Sequence, residues 1–166
     1  MSEASFPPLD VTAQWGCLND SIVTLVDYVP DDKLDWSPQP DLWNFRGILL
    51  HTVMTRDNWL GSFLRDGATS LDEPEAIGSF IRSTQSKADI QRELRRSWDR
   101  LGRFLSDPLR LAASYTWGER AWGGDGSERT GHWVAFHLLE HDIHHRADIF
   151  HYLALLGIEH PDVGTP

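Results

Sequence analysis

His137, His141 and His145 recur at intervals of four within residues 132–157, HWVAFHLLEHDIHHRADIFHYLALLG, and Asp148 follows the last of them by three. On a helix, residues four apart lie one turn apart and about 40° round the axis, close enough for two imidazoles to share one ion. Neutral imidazole is the commonest protein metal ligand. Val134 and Leu138 before the histidines, and Tyr152, Leu155 and Leu156 after them, fall on the same face. The histidines are therefore set into a core-facing apolar stripe. A buried polar group costs roughly 1–3 kcal/mol unless it is satisfied, so the cluster needs an ion, a ligand or groups from another helix. A core histidine network satisfied within itself is the alternative without a metal.

A second polar stripe offers the missing partner. Residues 42–65 read as a helix with Asp41 as its N-cap, with Ile48, Trp59 and Phe63 on one flank and Leu49, Val53, Leu60 and Leu64 round the back. The remaining face holds His51, Thr55 and Asn58 at i, i+4 and i+7. Three neutral nitrogens from two helices leave coordination positions for water or substrate, the arrangement of a catalytic site. Closed structural zinc sites take four protein ligands and are rich in cysteine, whereas this chain has one cysteine, Cys17.

The other elements are those that must hold these two faces together. At 166 residues the chain suits a single domain with a sizeable core. Trp15, Leu18, Ile22, Leu25 and Val29 predict a first helix over 10–29, stopped by Pro30. The connector DDKLDWSPQPDLW carries Pro38 and Pro40 and folds Leu34 and Trp36 back over the core. Residues 66–85 are irregular, with a helical turn at 75–81. A third helix covers 86–105 through Ile90, Leu94, Trp98, Leu101 and Leu105. Its Arg92, Arg95, Arg96, Arg100 and Arg103, alternating with Glu93 and Asp99, read as a solvated face.

Residues 106–130, with Tyr115, Trp117, Trp122 and four glycines, form a long loop. That loop is either a wall over the site or packing for the bundle end. The fourth helix, 130–156, stops at Gly157. It carries a second apolar stripe of Phe136, Leu139, Ile143, Phe150 and Leu153, to be covered by a neighbouring helix or a homodimer seam.

Composition excludes several classes. Fifteen basic against 25 acidic residues give a net charge of −10, which disfavours nucleic-acid binding. A lone cysteine forbids an intrachain disulfide and fits a reducing compartment. With no apolar run of membrane-spanning length and no secretory pattern at the start, the expectation is a cytoplasmic protein without membrane contact.

The run His141-Asp-Ile-His144-His145-Arg146-Ala147-Asp148 resembles the His-x-x-His-His-Arg-Gly-Gln signature in the last helix of DinB-like proteins. Leu34-Asp-Trp36-Ser-Pro38, Trp43 and Gly47-Ile48-Leu49-Leu50-His51 resemble that family's approach to its second helix, and Leu155-Leu-Gly157-Ile-Glu-His-Pro161-Asp162 its ending. The resemblance implies an all-α four-helix bundle, often dimeric, with a divalent metal on His51, His141 and His145. Ala147 and Asp148 depart from the signature's Gly-Gln. Asp148 becomes a fourth ligand, an orienting partner for an imidazole, or a base. His137 is a second candidate for proton handling. His144 points about 100° from His145 and reads as a surface residue. His132, His151 and His160 carry no signal.

Three functions follow from the resemblance. A metal that activates a low-molecular-weight thiol gives an S-transferase type of enzyme, with Asp148 or His137 moving the proton and Asn58, Trp117 and Trp122 orienting the substrate. Activated water gives a hydrolase on the same site. A site with no turnover gives a metal-binding stress or interaction protein. Zinc or nickel leads as the metal, with iron or copper behind.

Overall fold

The spacing of Leu18, Ile22 and Leu25 winds Val11–Tyr28 into helix α1, and the Asp10 side chain accepts from Ala13 N at 2.9 Å to cap it. The computed structural model describes residues 10–63, 71, 74–117 and 125–160. Expectations for Leu64, Trp122 and the side chain of Phe63 lie outside those residues.

The second helix starts later than residue 42. Its cap is Asn44 rather than Asp41, accepting from Gly47 N at 2.7 Å, and α2 spans Phe45–Asn58. The connector causes the later start. It folds back so that the Trp36 and Leu34 carbonyls accept from Phe45 N at 3.3 Å and Arg46 N at 2.9 Å, satisfying first-turn donors that no intrahelical carbonyl can reach. Leu34 is buried, and Trp36 lies against Phe45 and Tyr152. Beyond Asn58 the chain widens into a π-helical turn, Trp59–Phe63, a form common near functional sites.

Helix α3, Pro74–Ser83, exceeds the turn expected at 75–81. Helix α4, Lys87–Leu105, opens on a reciprocal capping box between Ser86 and Asp89. The predicted loop 106–130 contains order that its composition hid. Asp107 caps the short helix α5, Pro108–Ala112, and strand β1 (Ser114–Thr116) pairs antiparallel with β2 (Glu128–Thr130). Strands of three residues are too short for an alternation to be read. Helix α6, Gly131–Leu155, starts hard against α5: a Cβ on Gly131 would sit 2.2 Å from the Arg110 carbonyl oxygen, so this approach needs glycine. Gly157, at φ +68°, ends the helix.

Helices α1 and α2 each pack on both α4 and α6, giving a four-helix bundle with α1 and α2 on one diagonal. Its core joins Ile22, Leu25, Leu49, Val53, Ile90, Leu94, Leu101, Val134, Leu138 and Ile149. The two-stripe reading of α6 needs correction at the helix end. Leu155 is 67% exposed where the bundle stops, while Leu153, placed on the outer stripe, is fully buried. Phe136 and Ile143 do lie on an exposed face.

The solvated arginine face of α4 holds at Arg92, Arg95, Arg96 and Arg103 and needs correction at Arg100. Arg100 is buried and paired with the buried Asp57 of α2 at 3.0 Å, and Arg96 joins the same carboxylate. The buried carboxylate of Asp57 draws Arg100 inward, while Arg96, one turn before it, reaches the same carboxylate with its side chain 46% exposed. Among the described residues no helix is long and apolar enough to cross a membrane.

Candidate metal centre

The i, i+4 spacing on α6 and the single histidine in the middle of α2 meet where those helices pack. The Nε2 atoms of His51 and His141 face one another at 2.9 Å, and Thr55 Oγ1, one turn beyond His51 on α2, lies 3.3 Å from each. His145 completes the group: its ring centroid is 4.4 Å from that of His141 and 5.1 Å from that of His51. One ligand nitrogen from each of the three lies within 4.8 Å of the others. Two nitrogens bound to one ion at about 2.1 Å stand about 3.0 Å apart at a right angle and about 3.4 Å at the tetrahedral angle, so the observed spacing suits a shared ion.

The electrostatics favour ligation. Burial, reinforced by the neighbouring His145, pushes His51 from its ordinary 6.5 down to about 4. Burial pushes His141 further, to about 2, with His145, His51 and His137 adding to it. His145 is also lowered by burial, against the opposing pull of Asp148. At neutral pH these groups are uncharged imidazoles with lone pairs to give. Among the described residues His141 Nδ1 is buried without a hydrogen-bond partner, so the contacts at Nε2 leave the ring only half satisfied.

Asp148 lies against His145 rather than among the converging nitrogens: its Oδ2 is 3.0 Å from His145 Nδ1 and 3.7 Å from His144 Nε2. A hydrogen on Nδ1, donated to that carboxylate, leaves the other nitrogen of His145 as a lone pair, the arrangement that orients many ligating histidines. His144, Asp148 and His145 form a second, more exposed group of possible ligands.

His137 stands apart from the three. Its ring is 6.4 Å from that of His141, stacked on Trp133 at 5.3 Å and 7°, and 4.8 Å from Trp59. Trp117 joins this aromatic group, 5.4 Å from Trp59 and 6.0 Å from Trp133. Asn58 presents a buried Oδ1 with no hydrogen-bond partner.

Two features escaped the sequence reading. Trp43 walls the histidine group, 4.2 Å from His51 edge-on and 5.8 Å from His145 nearly parallel. Its position two residues before α2 gave no periodic signal. The second is a fully buried ion pair, Arg56 Nη2 to Asp142 Oδ2 at 2.7 Å, immediately beside His141 in sequence. Neither residue stands out in the sequence, and only the assembled bundle reveals where they point.

A pH dependence follows for the metal-free protein. Between about pH 6.5 and 4 the unfolded chain binds protons at His51 and His141 that the folded chain refuses, so unfolding free energy falls as pH falls through that window. The urea midpoint, taken at intervals from pH 7 to 4.5, should drop progressively below 6.5. A midpoint independent of pH down to 5 would contradict the burial of these rings.

Comparison with known proteins agrees with this architecture. The DinB superfamily profile matches residues 19–149. A protein assigned to the DinB family from Exiguobacterium sibiricum 255-15 superposes with a TM-score of 0.70 at 17% identity, covering 95% of this chain and 99% of its own. A DinB-like protein of Bacillus subtilis superposes with a TM-score of 0.61 at 12% identity, over 95% and 96%. At these identities the likeness speaks for the fold. No curated protein matches the chain.

Proposed function

The chain belongs to the DinB superfamily, and from that premise we propose a metal-dependent enzyme that holds a divalent ion on His51, His141 and His145 and activates a small thiol for transfer to an electrophile. The observation that carries the reading is the 2.9 Å approach of two Nε2 atoms from different helices, both on imidazoles that burial keeps neutral. With the ring hydrogen on Nδ1 of both, the two Nε2 lone pairs converge on one point, where a cation can accept both. An ion bound there supplies Lewis acidity, which brings the pKa of a thiol toward neutrality.

The chain's own groups have distinct tasks in this reading. Asp148 fixes the tautomer and direction of His145. Trp43 covers one side of the group and limits water there. His137, one turn along α6 and kept neutral by burial, takes the thiol proton. The sulfur then forms the new bond to the electrophilic carbon as its leaving group departs with the bonding pair. Asn58 and Trp117 orient the substrate on the far side of His137. Three protein nitrogens leave positions open, and the side chain of Asp148 at the rim is 33% exposed, which suits access by small molecules.

The test is the loss of thiol, for cysteine and larger low-molecular-weight thiols, in the presence of 1-chloro-2,4-dinitrobenzene. Zinc- or nickel-loaded protein should accelerate it well above the spontaneous rate, and chelated protein should not. Equal rates for loaded and chelated protein across the panel would end the thiol reading. Metal-dependent cleavage of an ester without thiol would transfer the same site to water activation.

A further inference from the structure

Next to the three histidines lies an aromatic group in which Trp117 Nε1 is buried without a partner among the described residues. Arg129 on β2 places its guanidinium over Trp117 at 5.4 Å and over Trp133 at 5.0 Å. Its Nη1 donates to the Glu128 carbonyl at 3.0 Å, and its Nη2 is 3.7 Å from Asp125 Oδ2, too far for a hydrogen bond. Among the described residues its buried Nε has no acceptor, and neither has Trp117 Nε1. Asn58 Oδ1 is buried with no donor among the described residues. Unmatched buried groups of this kind are rare, because each forfeits its hydration without replacement. The two donors sit on side chains in contact, Arg129 over Trp117, beside the rings of Trp59, Trp133 and His137, and Asn58 directly precedes Trp59 in the chain.

We propose that Arg129, Trp117, Trp133 and Asn58 form a subsite for a planar or aromatic carboxylate whose other end reaches His141 past His137. The unmatched donors of Arg129 and Trp117 suit the two oxygens of a carboxylate, and Asn58 Oδ1 suits an N–H or O–H elsewhere on the ligand. The tryptophans supply apolar faces for a flat body. Trp133, His137 and His141 follow at intervals of four on α6, so the subsite and the histidine group are about 12 Å apart along the helix, the span of a small organic molecule. The inference rests on the metal reading only for the chemistry at the far end, since the subsite itself contains none of the three converging histidines. It names the class of electrophile or thiol that the enzyme would accept: one bearing a carboxylate.

The probe is phenylacetate, with phenylacetamide as its uncharged counterpart, titrated calorimetrically into chelated and zinc-loaded protein. Phenylacetate should bind wild type at least about tenfold tighter than the amide in both forms. Arg129→Gln should erase the difference, Arg129→Lys should restore part of it, and Trp117→Phe, which keeps the ring and removes the N–H, should weaken phenylacetate alone. Circular dichroism establishes that each variant is folded. Equal affinity for acid and amide, or phenylacetate binding unchanged in folded Arg129→Gln, overturns the subsite and makes Arg129 a latch between the hairpin and α6. Binding abolished by chelation yet indifferent to Arg129 also overturns it, while leaving the metal reading intact. Arg129-dependent binding in a protein that retains no metal upholds the subsite and removes the metal reading.

Discussion

His141→Ala is expected to abolish stoichiometric metal binding while leaving the bundle folded. His141 is the middle ligand of the proposed group: its Nε2 is 2.9 Å from that of His51, and its ring is the nearest to His145. Without it the two remaining imidazoles have centroids 5.1 Å apart and hold an ion with two nitrogens rather than three. Asp148→Asn should act more mildly, lowering metal affinity about 10- to 100-fold, because it disturbs the orientation of His145 without removing a ligand. Elemental analysis after loading with zinc and with nickel gives the order. Thermal unfolding gives an independent reading, since an ion at 100 times its dissociation constant stabilises the folded state by about 2.7 kcal/mol, and the alanine variant should show no such shift. Equal metal content in wild type and folded His141→Ala would remove these histidines as the ligand set.

Much of this centre is legible in the sequence because both halves of it obey helical period. His141 and His145 sit at i, i+4 in α6, and His51 is the histidine of α2, so packing the apolar faces of these two helices brings the polar interruptions together. Asn44 shows how the boundaries are lost. It wins the cap over Asp41 because the connector, through the Leu34 and Trp36 carbonyls, already occupies the first-turn donors of α2. Trp43 belongs to the family-like run, but its place against the histidines is hidden for a related reason, as a side chain outside any repeating element is aimed by tertiary contacts alone. Arg100 fails differently. Period and charge together indicate a solvated face, and the buried Asp57 on a different helix reverses that reading. Charges that pair across helices leave no local trace in either partner's sequence.

The same principle governs the largest stability effect. Asp142→Leu is expected to destabilise the protein by about 3–5 kcal/mol, because it leaves the guanidinium of Arg56 buried without its counter-ion. The pair is the centre of a knot that involves all four long helices. Arg56 on α2 reaches Asp142 on α6 at 2.7 Å, Asn19 on α1 at 3.0 Å and Ser97 on α4 at 3.2 Å, while Trp15 on α1 donates to Asp142 at 2.7 Å. Arg56 and Asp142 are fully buried, so neither has water to fall back on. Arg56→Met should cost a similar amount by stranding the carboxylate. Arg56→Met combined with Asp142→Leu should recover most of both losses, since an apolar pair avoids the desolvation that the ion pair must offset. Urea denaturation of the four metal-free proteins forms the cycle, and strictly additive losses would show that the two charges do not act as a unit. Metal affinity in the double variant carries further information. Asp142 adjoins His141, and Arg56 lies five residues after His51, so an apolar replacement keeps the helices together while removing the directional bonds that set their register. A double variant as stable as wild type but weaker in zinc binding would assign the knot to positioning the two Nε2 atoms rather than to holding the bundle together.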